Sequence, residues 1–278
     1  MKPKSLTSLC LFISMSSLAP AADYISDFSG LSVGAGLVGI DGWTQSAENY
    51  GPDYPLAFGT LIGTSTAAAV GGFYDTEPPD ATGLFHASRE INRSLSLNTN
   101  ISMNLGIVDS EGFTVDGDPT VYGTERNSFT LGVVNATGAT IFGLIFDPEP
   151  GPDGPDNTWK LSWTDGAATY AFASAIIETA KYTMNLGFNP NGADVDFALS
   201  LSGANTWSTS GSLTGASSET FSELRMGISA TDSAVTGTPQ FGTNHLVFNE
   251  VAVVPEPSSL LLLGTTALGF ALRRRRTP

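Results

Sequence analysis

Between Ser94 and Val108 the apolar side chains fall on every second position. Leu95, Leu97, Ile101, Met103, Leu105 and Ile107 share one parity, with Thr99 filling the gap. A period of two marks a strand buried on one face, so this stretch predicts one long half-buried strand, or two joined by a kink. Shorter stretches repeat the pattern. Ser128–Val134 and Thr140–Phe146 read as a hairpin around Asn135-Ala-Thr-Gly138, and Trp159–Trp163 as a short strand closed by Asp165-Gly166. Tyr182–Phe188 and Val195–Leu201 flank the turn Asn189-Pro-Asn-Gly192, while Phe221–Ile228 and His245–Val253 close the series. The nearest helical candidate, Tyr170–Met184, is broken by β-branched pairs and keeps no 3.6-residue period. Without self-similarity at about 40–50 residues, a propeller or solenoid is excluded. Many short strands joined by Gly/Asn/Asp/Pro turns predict an all-β sandwich.

Charge narrows the partners. The chain of 278 residues has a formal net charge of −15 at pH 7. All 27 acidic residues lie between Asp23 and Glu256, a span that holds only Arg89, Arg93, Arg126, Lys160, Lys181 and Arg225 as basic residues. Such a body repels nucleic acid and anionic bilayers. The single cysteine, Cys10, excludes an intrachain disulfide and a multi-cysteine metal site.

Both ends read as addresses. Lys2 and Lys4 precede a short apolar run, Leu6–Leu18, and then Ala19-Pro-Ala21, a small-x-small cleavage pattern with the cut after Ala21 or Ala22. That layout predicts a secretory signal peptide over 1–21, with signal peptidase as the partner during export. The run is too short and too rich in serine to span a bilayer, which takes about 20 apolar residues. At the other end Pro255-Glu256-Pro257 precedes an apolar stretch, Leu260–Leu272, opened by Leu260, Leu261, Leu262 and Leu263 and closed by Arg273, Arg274, Arg275 and Arg276. Prolines expose an extended segment, the apolar stretch enters the bilayer as a short transmembrane helix, and arginines hold its end on the cytoplasmic side. Gly264 and Gly269 weaken that helix, which suits a transient hold before processing.

The C-terminal layout, 254–278, resembles the PEP-CTERM sorting signal of Gram-negative bacteria. The resemblance implies recognition by a membrane protease, an exosortase, with passage from the inner membrane to the cell surface or to an exopolysaccharide and biofilm matrix. It says nothing of chemistry in the body, 22–253. The order of the body's pieces resembles a concanavalin-like or laminin-G-like jelly-roll β-sandwich. The residues carrying this are Asp27-Phe28, Ser128-Phe-Thr-Leu-Gly-Val-Val134, Tyr182-Thr-Met-Asn-Leu-Gly-Phe188, Asp196-Phe-Ala-Leu-Ser-Leu-Ser-Gly203 and the final strand Asn244–Val253. That resemblance implies a fold and leaves function open.

Candidate chemistry in the body is sparse. His86 and His245 are the only histidines, no Gly-x-Ser-x-Gly elbow occurs, and His245 sits in an alternating strand as a structural residue. Glycosidases on concanavalin-like folds need paired carboxylates. The one-strand Glu-x-Asp-x-x-Glu arrangement is absent, and neither Asp194-x-Asp196 nor Glu219 with Glu223 replaces it. The body is therefore expected not to be an enzyme. Calcium is the more plausible cofactor, because it takes six to eight oxygens from irregular loops. Asp147, Glu149, Asp153 and Asp156 share a Pro/Gly loop, and Asp116 and Asp118 belong to a second acidic cluster with Asp109 and Glu111. Among the tryptophans, one or both of Trp159 and Trp163 are expected to plug the core. Trp207, in a Ser/Thr-rich setting, is the candidate for an exposed sugar-stacking residue. The expected role is structural or adhesive in an exopolysaccharide matrix. The alternatives are a carbohydrate-active enzyme on the same fold and a passive calcium-stabilised surface protein.

Overall fold

The computed structural model describes residues 24–28, 37, 39–45, 56–58, 67–71, 84–109, 128–149, 158–177, 180–229, 231–232, 239–240 and 244–255. All of them belong to one compact unit, 22–256. The strands are β1 (Tyr24–Ser26), β2 (Trp43–Gln45), β3 (Leu56–Phe58), β4 (Ala67–Gly71), β5 (Leu84–Ser94), β6 (Thr99–Asp109), β7 (Ser128–Val134), β8 (Thr140–Glu149) and β9 (Thr158–Thr164). They continue as β10 (Thr169–Ile177), β11 (Tyr182–Asn191), β12 (Asp194–Ser202), β13 (Thr206–Leu213), β14 (Thr220–Ser229), β15 (Thr231–Asp232), β16 (Pro239–Gln240) and β17 (Asn244–Pro255). A single 3-10 turn, Ala216–Ser218, is the only helical element among the described residues.

The strands form two large antiparallel sheets. One runs β13-β12-β11-β6-β17-β4-β3, with β1 also pairing β17, and the other runs β10-β9-β8-β7-β14-β5-β2. The chain changes sheet repeatedly, after β1, β2, β4, β5, β6, β10 and β13 and again between β14 and β17, so β6 lies between β11 and β17, and β14 between β7 and β5. Two face-packed antiparallel sheets, each with hairpins at the margin and central neighbours distant in sequence, make this a jelly-roll β-sandwich. β1 pairs β17 in the register Tyr24 to Val253, so the chain enters and leaves the sandwich side by side.

Parity builds the core. Ile101, Met103, Leu105 and Ile107 of β6 are buried, as are Tyr182, Met184, Leu186 and Phe188 of β11 and Val195, Phe197, Leu199 and Leu201 of β12. The facing sheet contributes Phe129, Leu131, Phe142, Leu144, Phe146, Trp159 and Leu161. Fully burying one such side chain stabilises by about 1.5–3 kcal/mol, which makes strand register costly to slip.

Turn chemistry sets the hairpins. Asn135 Oδ1 accepts hydrogen bonds from Thr137 N (3.0 Å) and Ala139 N (3.0 Å), joining β7 to β8. β11 and β12 pair out to Asn191 and Asp194. The loop is therefore only Gly192-Ala193, tighter than the Asn189-Pro-Asn-Gly192 turn expected from sequence, with Gly192 at φ 66°.

The expectation for Ser94–Val108 needs correction at its start. Leu95–Asn98 form the corner between the sheets, where Leu95 is buried and Leu97 is 54% exposed. Side chains hold this corner, which a hydrophobic pattern cannot register. Arg93 Nε donates to Thr99 Oγ1 (2.7 Å) and Arg93 Nη2 to the Asn98 carbonyl (3.1 Å).

The β9–β10 hairpin carries a titratable turn. Asp165 Oδ1 accepts from Ala167 N (2.9 Å) and Ala168 N (2.8 Å). The backbone N–H groups of Ala168 and then Ala167 hold its carboxyl below the ordinary aspartate value. A depressed native pKa contributes stability that is fully present above the unfolded value of 3.8 and is lost as pH falls through the lower native value. Asp165→Asn is therefore expected to melt slightly below wild type near neutrality, with the gap closing in acid. Melting temperature followed against pH checks this. A gap that widened as pH fell would contradict it.

Candidate functional site

Outward positions of β6, β11, β12 and β13 are almost wholly polar and uncharged. Register places them in rows across the sheet. One row is Ser102, Asn185, Ser200 and Ser208, and the next is Asn100, Gly187, Ala198 and Ser210. In the second row the two middle strands carry only Gly187 and Ala198. The missing side chains leave a depression of about 510 Å³, floored by this pair and rimmed by the amides of Asn100, Asn185 and Asn189 and the hydroxyls of Ser200, Ser208 and Ser210. From β6 to β13 it crosses three strand spacings, about 14 Å. No ionisable side chain lines it. Its volume falls in the range of small-molecule sites, about 300–1,000 Å³. Elsewhere on the same face Ala67, Ala69 and Val247 are fully buried, so the open part of the sheet is the half that holds the groove.

The neighbouring polar groups are spoken for. Thr183 Oγ1 donates to Asn104 Oδ1 (2.9 Å), and Asn104 Nδ2 donates to Glu250. Asp196 Oδ2 accepts from Asn191 Nδ2 (2.9 Å), and Asp194 Oδ1 from Gly215 N (2.8 Å). The two aspartates thus fasten the β11–β12 turn and the chain after β13.

The sequence candidates land elsewhere. Trp207 is not exposed: it is 9% accessible, belongs to the core and lies 4.7 Å from Phe172. Its strand looks polar only because Thr206, Ser208, Ser210 and Ser212 face outward. Trp159 is fully buried as expected, and Trp163 is half-buried beside the exposed Tyr170. Asp147 and Glu149 belong to no loop; they extend β8, paired with Lys160 and Thr158 of β9. Among the described residues the β7 pairing ends at Phe146, so Pro148, which lacks an N–H, lies beyond the last β7 ladder pair. Asp116, Asp118, Asp153 and Asp156 lie outside the described residues, and no group of three His, Cys, Asp or Glu forms among those described. Ala19, Ala21, Ala22, Glu256, Pro257, Leu260–Leu263 and Arg273–Arg276 also lie outside them. No described helix is long and apolar enough to cross a membrane.

Pro255 is the last residue of β17, opposite Thr99, one step from Val254 and Asn100 at the groove rim. The final strand therefore runs without a linker into the tail, and residues 253–276 match the PEP-CTERM protein-sorting motif. This chain carries a PEP-CTERM sorting signal. The signal marks an exported protein, held transiently in the membrane, processed by an exosortase and displayed at the cell surface. No curated protein matches the chain. Solved structures with a similar arrangement include a PL-14 alginate lyase from Aplysia kurodai, 9% identical, covering 84% of this chain and 99% of that one at a TM-score of 0.48. A CBM2 module of the evolved Dit of Lactobacillus casei BL23 phage J-1 is 13% identical, covering 84% and 96% at 0.46. The Lotus tetragonolobus seed lectin is 11% identical, covering 77% and 100% at 0.40.

Proposed function

We propose that the exported body binds a neutral polysaccharide in the groove over Gly187 and Ala198, as an adhesive or structural component of an extracellular matrix. The observation that carries this reading is the lining. Asparagine amides offer donors and acceptors together and serine hydroxyls offer both on one atom, which matches the hydroxyl groups of an uncharged sugar. An anionic glycan would need cations to offset its desolvation. None lines the groove, and the acidic body adds repulsion.

The role proposed is non-catalytic. Hydrolysis of a glycosidic bond takes two carboxyls about 5–9.5 Å apart across it, while Asp194 and Asp196 at the groove's end already serve backbone and side-chain donors. In this account signal peptidase removes residues 1–21, and the processed protein joins the exopolysaccharide of a Gram-negative-type cell.

Retention of the full chain on immobilised glucans, galactans and alginate tests the reading. Neutral polymers are expected to hold it and alginate is not. Ala198→Arg, which fills the floor from an exposed position, is expected to cut retention about tenfold or more without changing the melting temperature. Retention on alginate alone, or an Ala198→Arg variant held as firmly as wild type, would sink it.

A further inference from the structure

We propose that Tyr170, backed by Trp163, is a second saccharide subsite at the open flank of the sandwich, where a sugar chain leaving the groove stacks on an aromatic face. This rests on the groove reading above and extends it in length. Three rings run from core to surface as a near-parallel series. Phe142 and Trp163 are stacked at 6.0 Å and 12°, and Trp163 and Tyr170 at 4.2 Å and 17°. Phe197 meets Trp163 edge-on at 4.7 Å. Trp163 is thereby fixed, and it fixes Tyr170 in turn. Yet Tyr170 is 42% exposed, one of only three large apolar side chains so exposed among the described residues. The ring is oriented by its inner face, against Trp163, and keeps surface open to solvent. A pyranose has a patch of C–H groups on one face and hydroxyls around its rim. A flat, held aromatic matches the patch.

An acceptor stands beside the ring. Tyr170 donates its hydroxyl to Asp165 Oδ2 in a long bond of 3.4 Å, and this oxygen keeps a second lone pair for a sugar hydroxyl, while Oδ1 is held by the Ala167 and Ala168 N–H groups. The charged carboxylate therefore sits still beside the platform, which lowers the ordering cost of binding.

The flank connects to the groove. β13 and β10 are the edge strands on the same side of the two sheets, joined by the contact of Trp207 with Phe172. Ser210 closes the groove on β13. The next residue, Gly211, lies over Phe197 and Trp163: a Cβ there would come 2.7 Å from the Phe197 ring and 3.6 Å from Trp163. Passing over Ser210, a chain laid across the strands reaches the edge where Trp163 holds Tyr170.

The test is binding of a neutral disaccharide and hexasaccharide to the full-length chain, read by affinity and by tryptophan emission. Tyr170→Ala is expected to weaken the hexasaccharide about tenfold and to leave the disaccharide nearly unchanged. Tyr170→Phe should keep most of the affinity, and the emission change should vanish in Trp163→Phe. If Tyr170→Ala binds the hexasaccharide as wild type does while Ala198→Arg loses it, the platform is wrong and the groove stands. If Ala198→Arg binds normally and Tyr170→Ala does not, the groove is wrong and the platform stands. No binding by wild type overturns both.

Discussion

Trp43→Ala is expected to destabilise the body by about 3–5 kcal/mol and to lower its melting temperature by about 10 °C. Trp43 is fully buried on β2, a strand of only three residues at the edge of its sheet. Its ring lies 5.3 Å from Phe248, 6.2 Å from Phe28 and 6.4 Å from Tyr24, so it joins β2 to the central strand β17 and to the chain's entry. Its Nε1 donates to the Tyr24 hydroxyl at 2.6 Å inside the core. Removing the indole opens a cavity and takes one donor from that hydroxyl, which keeps Ser26 as a partner. Short β1 and β2 offer few ladder bonds in exchange. Trp43→Phe, which keeps most of the packing and loses the donor, should cost about 1–3 kcal/mol. Thermal melting of the pair decides. A drop under about 3 °C for Trp43→Ala would mean that the entry strands are not anchored through this ring.

Replacing Pro255, Glu256 and Pro257 together by Ala is expected to abolish tail removal almost completely while leaving the sandwich intact. Of the three, only Pro255 is part of the described fold, as the terminal residue of β17. The strand is held upstream by register with β6, β4 and β1. The uncut chain should accumulate in the membrane fraction, with the cell surface depleted. Fractionation with an antibody to the body checks this. Normal surface display of the triple variant would show that the motif does not govern sorting.

The fold was largely legible because its strands obey parity. The β7–β8 and β11–β12 hairpins follow from Asn135, Gly138 and Gly192 placed between alternating runs. Ser94–Val108 misleads because Leu95 and Leu97 keep the strand's parity through a corner held by Arg93 and Thr99. Trp207 misleads for the opposite reason. Its strand is polar on the outer face, and on the inner face Gly211 leaves space that Phe197 fills from the next strand, so the apolar signal is thin. The groove could not be read from sequence. Parity shows that Asn100, Asn185 and Ser208 face away from the core, but only the order β6-β11-β12-β13 gathers them around Gly187 and Ala198. The Asp165-Gly166 turn pairs Tyr170 with Trp163 across a hairpin, but nothing in the sequence shows that this pair lies beside Gly211 of the edge strand β13.

The most direct measurement is to follow the side-chain amide resonances of Asn100, Asn185 and Asn189 in the isotope-labelled full chain as a neutral oligosaccharide is added. Each of these amides lies on the groove rim, and the inner-face residues of the same strands serve as silent controls. The account predicts saturable shifts at all three that disappear in Ala198→Arg and do not occur with an alginate oligomer. Shifts confined to the outer face of the other sheet, or equal shifts in Ala198→Arg, would contradict a groove on this face as the binding site.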